Sequence, residues 1–585
     1  MNAPMSIAPP ARKSRRFTIT RNHWLLIPAM ALLAVFFIVP VGRLLALSFQ
    51  DDASGLLTLH HFTRMLTQDV YTRVLLTTLR ISILTALLSI LFGYPLAYWL
   101  AKMPARRRAI YLLLVMLPFW TSYLVKTFAW VIVLGRNGVI NQLLMGIGIP
   151  RLSMLQSEFA VLLGMVQGLL PIAVLSMLPV MLAIDRRLVQ AAETMGAHPA
   201  RAFWLVYFKL SVPGIAAGGL MTFLTALGFF IVPALMGSPQ ETLLAQLIIV
   251  QVQQVLDWGF AGALSVFLLI ATVVTCLAYD RVFGLSSLSG EERQITQHGY
   301  LSRCGTILLS WTARIAQHID VAAHRILPSA ITSRLLGCHS LFVLFVLAAP
   351  TLVVIPIAFT SSRSLDFPPK GYSLQWMEQY FTTGVWWEAT IRSFGVAFAT
   401  ALAATIIGGM AALALTRGKT RFSGILFNAF LAPMIVPRIV LATGLMYLFG
   451  QIGLIGTNLG LVIGHTVIAL PFAIITLLAM LKGYDVRLDH AAATLGASPL
   501  RTLRRITIPL LKEGLIAAFL FAFITSFDEL TIALFVTGGT TATLPKLMWD
   551  EMFLQLSPMI ASASVVVLLV AVVLLTLSEK LRADR

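Results

Sequence analysis

Residues 185–201 of this chain read DRRLVQAAETMGAHPAR, and residues 485–501 read DVRLDHAAATLGASPLR. Ten of the 17 positions are identical without a gap, at an offset of 300 residues. Self-similarity at a fixed offset indicates a duplicated structural unit. Three positions upstream of the segment recur at the same offset: Gly164, Leu170 and Pro171 as Gly464, Leu470 and Pro471.

Long apolar runs surround both copies of this segment. Of the 585 residues, 58% are hydrophobic and 11% are charged, and the mean hydropathy is +0.87. Soluble domains carry about 25% charged residues, so the composition excludes a water-soluble globule and a disordered chain. Since a helix needs about 20 apolar residues to cross a bilayer, the sequence predicts an all-α integral membrane protein with about twelve transmembrane helices. The predicted spans lie near 24–48, 77–101, 110–134, 157–183, 210–236, 261–280, 335–360, 391–416, 423–449, 457–482, 510–537 and 560–577.

The basic residues are concentrated in alternate loops. Five precede the first span, four lie in 102–109 and three lie in 417–421, whereas 450–456 carries no charge. The positive-inside rule therefore predicts that both termini face the cytoplasm. It also accounts for the net charge of +19, so no nucleic-acid partner is expected. The first apolar run is longer than the core of a signal peptide and is interpreted as a retained anchor.

The spans and the repeat together predict two six-span units. Because six is an even number, both units have the same orientation, which gives two parallel repeats related by a pseudo-twofold axis. The predicted organisation is a basic tail at 1–23, a first unit at 24–280, a cytoplasmic linker at 281–334, a second unit at 335–578 and a cytoplasmic tail at 579–585. The linker is interpreted as a tether, with an amphipathic surface helix at 305–325 as the alternative.

The duplicated segment lies in two cytoplasmic loops, here called the first elbow (184–209) and the second elbow (483–509). In each, an Ala-Ala pair favours a short helix, a glycine is suited to end it in the left-handed conformation, and a proline can open a second helix. The pattern predicts a helix–turn–helix with small residues at its tip, able to enter a groove on a partner. An ordinary cytoplasmic hairpin is the alternative. The residues are Ala191, Ala192, Gly196 and Pro199, and Ala491, Ala492, Gly496 and Pro499.

Both elbows resemble the "EAA" loop of ABC-importer permeases, in which Glu-Ala-Ala-x-x-x-Gly precedes an Ile-x-Leu-Pro-like end. Gln190 and His490 lie at the position of the motif Glu, and Lys209 lies where the family has Pro. The resemblance implies that the elbows dock onto two ABC ATPase subunits on the cytoplasmic side and convert their closure into rotation of the two units. The implied coupling residues are Gln190, Ala191, Ala192, Gly196, His490, Ala491, Ala492 and Gly496.

Further segments narrow the resemblance to a subfamily. LPFWTSYLVKTFAW at 117–130 and NGVIN at 137–141 are similar to the first permease of spermidine/putrescine-type importers. SFDE at 526–529 and FVTGG at 535–539 are similar to the second permease. The resemblance implies two fused permeases in a bacterial inner membrane, served by a periplasmic solute-binding protein, for a polyamine-like or related organic solute. Ferric-iron permeases, which are also often fused, are the alternative.

The sequence carries no motif for chemistry of its own. It contains no Gly-x-x-x-x-Gly-Lys-Ser/Thr phosphate loop and no His-Glu-x-x-His segment. Cys276, Cys304 and Cys338 have neither metal nor redox spacing. The chain is therefore predicted not to be an enzyme and to have no cofactor, and ATP hydrolysis is expected from separate subunits.

Ionisable residues inside predicted spans are candidates for the translocation pathway, because charge is costly in a bilayer. Asp528 and Glu529 lie deep in the eleventh span, where two carboxylates would attract a cationic solute. Alternatively, one of them pairs with a neighbouring helix and fixes packing. His465 in the tenth span is interpreted first as a hydrogen-bonded packing residue. Trp120 and Tyr123, with Lys126 and Trp130, are placed near the outer end of the third span, as interfacial anchors or as lining of an outer gate.

An ion-coupled secondary carrier is the main rival, because twelve spans in two parallel halves also describe that architecture. A channel or membrane scaffold is a third interpretation. The duplicated elbows favour the importer, since a carrier or channel has no cytoplasmic partner that needs two matched loops.

Overall fold

The computed structural model describes residues 23–51, 55–283, 329–417 and 423–583. Within these ranges the chain is helical, and extended pairing is limited to two isolated bridges, Gln50 with Leu57 and Thr360 with Tyr372. The all-α prediction is confirmed. The expectations for the basic tail and for most of the linker, including 305–325, concern residues outside the described ranges.

The first unit consists of long apolar helices with shorter helices between them. Its predicted spans 110–134 and 210–236 are each interrupted, the former after Trp120 and the latter after Leu227. The helices are Trp24–Leu47, His60–Thr67, Asp69–Lys102, Ala105–Trp120, Tyr123–Leu134, Val139–Gly146, Glu158–Ala183, Lys209–Leu227, Ile231–Met236, Leu244–Val250 and Trp258–Phe283, with Arg186–Thr194 and Pro199–Ala202 in the first elbow.

The second unit repeats this order. Its predicted spans 423–449 and 510–537 are interrupted at Val436-Pro437 and at Asp528–Leu530. The helices are Ser329–Ala358, Gln375–Thr382, Gly384–Arg417, Ser423–Ile435, Arg438–Ile452, Asn458–Lys482, Lys512–Phe527, Thr531–Val536, Leu544–Leu554 and Pro558–Ala583, with Arg487–Thr494, Pro499–Thr502 and Ile508–Leu510 in the second elbow.

Every predicted span has an apolar helix at its position, although not every helix is continuous. Among the described residues, nine helices are long and apolar enough to cross a membrane, and eleven spans result if each of two bent pairs counts as one. Ser423–Ile435 and Arg438–Ile452 meet at 91°, and Pro499–Leu510 and Lys512–Phe527 meet at 73°. The last predicted span, 560–577, corresponds to the shorter apolar stretch Pro558–Leu574.

Three long helices form the core of each unit, and small residues set their spacing. A Cβ added at Gly218 would lie 3.0 Å from the carbonyl oxygen of Ala173. In the second unit, a Cβ at Gly514 would lie 2.6 Å from Cγ of Met480. Such close approach is typical of helix packing in membranes, where small residues allow the backbones to meet.

The first helix of each unit packs against the other unit. Trp24–Leu47 lies along Arg438–Ile452, where a Cβ added at Gly444 would lie 2.8 Å from the Pro40 carbonyl. Conversely, the first helix of the second unit, Ser329–Ala358, packs against the first unit. Gln167 Nε2 of the first unit donates to the Leu347 carbonyl of this helix at 2.9 Å. The two units are therefore interlocked.

The interruptions of four helices meet where the two units face each other. A Cβ added at Gly228 of the first unit would lie 3.1 Å from Cβ of Pro437 in the second. Crosswise, the Asp528 carboxylate of the second unit lies beside Ser122 of the first. We call this region, formed by 121–126, 228–230, 436–438 and 528–530, the central junction.

Candidate functional site

The two elbows have the predicted backbone. Gly196 has φ +88° and Gly496 has φ +79°, the left-handed region that glycine adopts without penalty. The N–H after each glycine closes the helix end, with Ala197 donating to the Ala192 carbonyl and Ala497 to the Ala492 carbonyl, both at 3.0 Å. This six-to-one bond is the Schellman C-cap. The prediction that these glycines end short helices is confirmed.

The tip of each elbow exposes an apolar side chain. Met195 and Leu495, which directly precede the two glycines, are both 88% exposed. Gln190 and His490 are exposed on the same short helices, whereas Ala192 is half-buried and Ala492 is buried. A protruding apolar residue flanked by small residues is suited to fill a pocket on another protein.

The second elbow is attached to its unit by a network around Asp489. The Asp489 carboxylate lies 2.7 Å from the Arg417 guanidinium and accepts hydrogen bonds from the Tyr484 hydroxyl at 2.7 Å and the Thr507 hydroxyl at 3.3 Å. Burial and the hydrogen bond to Asp489 raise the pKa of the Tyr484 hydroxyl above its usual value. Sequence reasoning missed this network, because Arg417 lies two spans before Asp489 in the chain.

The first elbow is attached by aromatic packing. Tyr98 lies with its ring centroid 5.2 Å from that of Phe203 and 5.0 Å from that of Tyr207. Arg186 donates to the Ala101 carbonyl at 2.6 Å, which joins the elbow to the end of Asp69–Lys102. Val189 occupies the position that corresponds to Asp489 at the offset of 300, so the carboxylate-centred network has no equivalent here.

In the central junction, Asp528 and Glu529 lie in an interruption and not within a continuous helix, which corrects the prediction for the eleventh span. Lys512–Phe527 ends directly before Asp528, and the next helix starts at Thr531. The two carboxylates therefore do not follow helical spacing. They point toward two different helix N-termini, where exposed N–H groups and the helix dipole favour negative charge.

The Asp528 carboxylate binds the N-terminus of a helix in the other unit. It lies beside the Ser122 hydroxyl and the Tyr123 N–H, at the start of Tyr123–Leu134. Lys126 and Arg438 attract it electrostatically. Since Ser122, Tyr123 and Lys126 belong to the first unit, this carboxylate joins the two units at their centre.

The Glu529 carboxylate instead binds the next helix of its own unit. It accepts hydrogen bonds from the N–H groups of Thr531 at 3.0 Å and Ile532 at 2.7 Å, and it lies 3.6 Å from Nε2 of His465. His465 Nδ1 is hydrogen-bonded with the Ser526 hydroxyl at 2.8 Å. Both side chains are buried. The sequence left open that one of the two acids pairs with a neighbouring helix and fixes packing. The contacts of Glu529 have this form.

The aromatic residues of the third span pack against other side chains of the protein, and their role as interfacial anchors or gate lining stays a prediction. The Tyr123 ring packs 5.0 Å from that of Phe229, and Trp120 packs 5.1 Å from Phe521 of the other unit. Trp130 is buried. The helix interruption after Trp120 turns these side chains into the protein.

Arg438 is a charged member of the central junction that sequence reasoning did not single out. It opens Arg438–Ile452 directly after Pro437, and its side chain is exposed. Its charge acts on Asp528 and Glu529. The rule that flags ionisable residues inside apolar spans applies equally to Arg438 and would have found it.

The chain matches the family described as "Binding-protein-dependent transport system inner membrane component" twice, at residues 90–287 and 404–581. The two matches together cover more than half of the chain, one in its first half and one in its second half. The predicted duplication of a permease unit is confirmed.

Two relatives illustrate this relationship. The spermidine/putrescine transport system permease protein PotB of Escherichia coli is 34% identical over 256 residues, which cover 43% of this chain and 93% of PotB. PotC of the same type of system, from Haemophilus influenzae, is 32% identical over 243 residues, covering 40% of this chain and 93% of PotC. Each relative thus corresponds to less than half of this chain.

Among solved structures, a bacterial alginate ABC transporter in complex with an alginate-bound periplasmic protein has 20% identity and a TM-score of 0.40, covering 44% of this chain and 92% of that chain. The family assignment, and not this structural likeness, decides between the importer and the ion-coupled carrier. Permeases of this family are membrane components of transporters and not themselves enzymes, and they act with ABC ATPase and solute-binding partners. The chain belongs to the family of binding-protein-dependent, inner-membrane ABC transport permeases and carries two permease units in one polypeptide.

Proposed function

We propose that this permease forms the translocation pathway for a cationic, polyamine-like solute. The observation that carries the proposal is the Asp528 carboxylate, which lies where the interrupted helices of the two units meet. A carboxylate beside the aromatic ring of Tyr123 offers the two kinds of group that bind alkylammonium ions, a charge-assisted acceptor and a π face. The names of the relatives agree, since PotB and PotC serve spermidine/putrescine transport.

The candidate pathway residues have different roles in this proposal. Asp528, Tyr123 and Trp120 line the pathway when the two units separate. Glu529 and His465 position the interrupted helix, because the Glu529 oxygens are bound by N–H groups of their own unit. When the units separate, a solute amine would therefore reach Asp528 before Glu529, because Ser122, Tyr123 and Lys126 leave with the first unit.

The partners are arranged around the two elbows. Two ATPase subunits bind on the cytoplasmic side, one to each elbow, with Met195 and Leu495 entering a pocket on each subunit. A solute-binding protein docks on the opposite side of the membrane. Both chain termini lie in the cytoplasm, as the distribution of Lys and Arg favours.

The test is uptake by the permease reconstituted in vesicles with its ATPase and binding protein. Spermidine, putrescine and ferric iron are supplied as separate substrates. We expect ATP-dependent spermidine or putrescine uptake that Asp528→Asn lowers by about tenfold or more, since a hydrogen-bonded charged group contributes about 1.5–3 kcal/mol.

Asp550→Asn is the matched control. Asp550 is an acid of the second unit that pairs with Lys546 at 2.6 Å and is not among the residues of the central junction. We expect this variant to retain most of the uptake. Uptake of ferric iron alone, or polyamine uptake that Asp528→Asn leaves unchanged, would contradict the proposed substrate class.

A further inference from the structure

Lys126 is a buried lysine at the centre of the protein for which the proposed pathway has no use. Its side chain is 2% exposed. Nζ donates to the Pro118 carbonyl at 2.9 Å and lies 3.8 Å from the centroid of the Tyr123 ring. The Asp528 carboxylate of the other unit attracts it electrostatically. A carbonyl oxygen, an aromatic face and a carboxylate are the groups that would hold the ammonium of an alkylamine.

The charges of the central junction are balanced before any solute enters. The junction contains two acids, Asp528 and Glu529, and two bases, Lys126 and Arg438. A solute ammonium added to this set would leave an excess of positive charge in a region of low dielectric constant, which is costly. One of the two resident cations therefore has to move away from the acids when a cationic solute binds.

The fold determines which of the two cations moves. Arg438, Asp528 and Glu529 all belong to the second unit, within the family match at 404–581, whereas Lys126 belongs to the first, within 90–287. When the units separate, Arg438 stays with the two acids and Lys126 leaves with the first unit. The second unit is then left with two acids and one base, so its half of the junction attracts a cation.

We propose that Lys126 is a tethered competitor of the solute: its ammonium serves as the counter-charge of Asp528, a role that an ammonium group of a cationic solute takes when the units separate. This inference rests on the proposed function and adds a specificity-determining residue to it. Because Lys126 is covalently attached, it closes the site without solute and has to be displaced before solute binds. The apparent affinity of the permease for its solute is therefore lower than the intrinsic affinity. It equals the intrinsic affinity multiplied by the fraction of molecules in which Lys126 is displaced.

The test measures binding of radiolabelled spermidine to the full-length permease in lipid nanodiscs. Lys126→Met removes the charge and keeps an unbranched side chain of similar length, and a neutral residue is well tolerated in the membrane. We expect spermidine to bind about tenfold more tightly to Lys126→Met than to the original chain, and Lys126→Arg to restore weak binding. Lys126→Gln is the second neutral variant, to be used if the methionine variant inserts poorly.

Lys546→Met is the matched control, because Lys546 is a lysine of the helix Leu544–Leu554 that is paired with Asp550 and not with Asp528. We expect its spermidine affinity to equal that of the original chain. The double variant Lys126→Met/Asp528→Asn tests whether the effect of Lys126 depends on Asp528. This variant lacks the carboxylate that attracts both the Lys126 ammonium and the solute ammonium. It should therefore lose the tighter spermidine binding expected of Lys126→Met.

The outcomes distinguish this inference from the proposed function. If Asp528→Asn weakens spermidine binding while Lys126→Met and Lys126→Gln leave it unchanged, the tethered competitor is wrong and the cationic pathway stands. If neither the original chain nor its neutral Lys126 variants bind spermidine, and Asp528→Asn has no effect on uptake, both are wrong.

Discussion

The two elbows have the same tip and different attachments. In both, a glycine in the left-handed conformation ends a short helix, and the following N–H closes it with a bond to an alanine carbonyl. The first elbow is held to its unit by the rings of Tyr98, Phe203 and Tyr207, and the second by charged and hydrogen-bonded groups around Asp489. In the proposed function the common tip meets the partner, so its geometry is restricted, whereas the attachment has only to be rigid.

This difference has an energetic consequence. Ring packing depends little on charge, whereas the Arg417–Asp489 pair depends on both partners being present and ionised. Removal of one partner of a partly buried pair leaves the other without compensation, which costs more than the pair contributes. Single substitutions should therefore weaken the second elbow more sharply than the first, even though the two tips are alike.

The largest expected effect comes from removing the feature that both elbows share. Gly196→Val/Gly496→Val places β-branched residues at φ values near +80°, at a local cost of about 1–2 kcal/mol for each elbow. No other atoms lie within 4 Å of a Cβ added at either glycine, so the chain should insert normally while the tips are displaced. We expect loss of ATPase copurification and of uptake by the double variant, and a clear decrease for each single variant.

Gly148→Val is the control for this strain. Gly148 also has a positive φ, +81°, with no atom within 4 Å of an added Cβ, but it lies outside both elbows. It should retain ATPase copurification and uptake. Normal uptake by the double elbow variant at wild-type abundance would contradict the assignment of the elbows as ATPase-coupling loops. Both loops would then be interpreted as ordinary cytoplasmic hairpins.

The next effect tests the charged attachment of the second elbow. Asp489→Asn removes the ion pair with Arg417 and weakens the bond from Tyr484, an expected local loss of about 1.5–3 kcal/mol. Hydrogen exchange in 486–496 should accelerate, and uptake should decrease severalfold. Val189→Asn, at the corresponding position of the first elbow, serves as the comparison. Equal responses at the two positions would show that the attachments are not as different as proposed.

A smaller effect is expected from the aromatic attachment of the first elbow. Tyr98→Ala removes ring contacts worth about 0.5–1.5 kcal/mol each. Phe203 and Tyr207 still stack on each other, with centroids 5.8 Å apart, so part of the cluster remains. Hydrogen exchange in 186–196 should rise modestly. Tyr98→Phe keeps the ring and should match the original chain; faster exchange in this variant would argue for a role of the hydroxyl instead of the ring.

The smallest expected effect is a shift in the pH at which the Tyr484 hydroxyl of the second elbow ionises. Burial and the bond to Asp489 raise the pKa of Tyr484 above its ordinary value of 10.0. The protonated form is thus favoured in the folded protein, and its contribution to the second elbow is fully present below pH 10 and lost as the pH rises through the raised pKa. The difference in ultraviolet absorption between the original chain and Tyr484→Phe should show ionisation above the usual range. Ionisation at the ordinary pKa would mean that the bond to Asp489 does not form.

Local signals predicted most of the fold. Each of the twelve predicted apolar runs lies on apolar helix, and Gly196 and Gly496 predicted left-handed helix ends, because such positions depend on a few neighbouring residues. The interruptions were harder to predict. Pro437 and the capping residue Ser122 are signals of helix starts, yet hydropathy alone extends an apolar helix across Leu227–Phe230, where no polar residue or proline marks the break.

The contacts of the candidate site depended on pairings that sequence spacing does not contain. Asp528 meets Ser122 across about 400 residues of chain, and Arg417 meets Asp489 across a whole pair of spans. The sequence predicted that Asp528 and Glu529 either have a function or are paired with another group, since both are ionisable residues in an apolar run. It did not distinguish the acid that joins the units from the acid that caps its own helix, because that distinction depends on which helix N-terminus lies nearby.

The exchange of first helices between the units also affects how the protein is made. Pro40, on the first helix, packs against Gly444, which is synthesised about 400 residues later. At roughly 5–20 residues per second, the ribosome needs roughly 20–80 s to reach it. During that time the first helix resides in the bilayer without its final neighbour, exposed to chaperones and membrane proteases. Fusion of the two units in one polypeptide keeps the waiting helix and its partner on the same ribosome, so the encounter does not depend on finding a second chain.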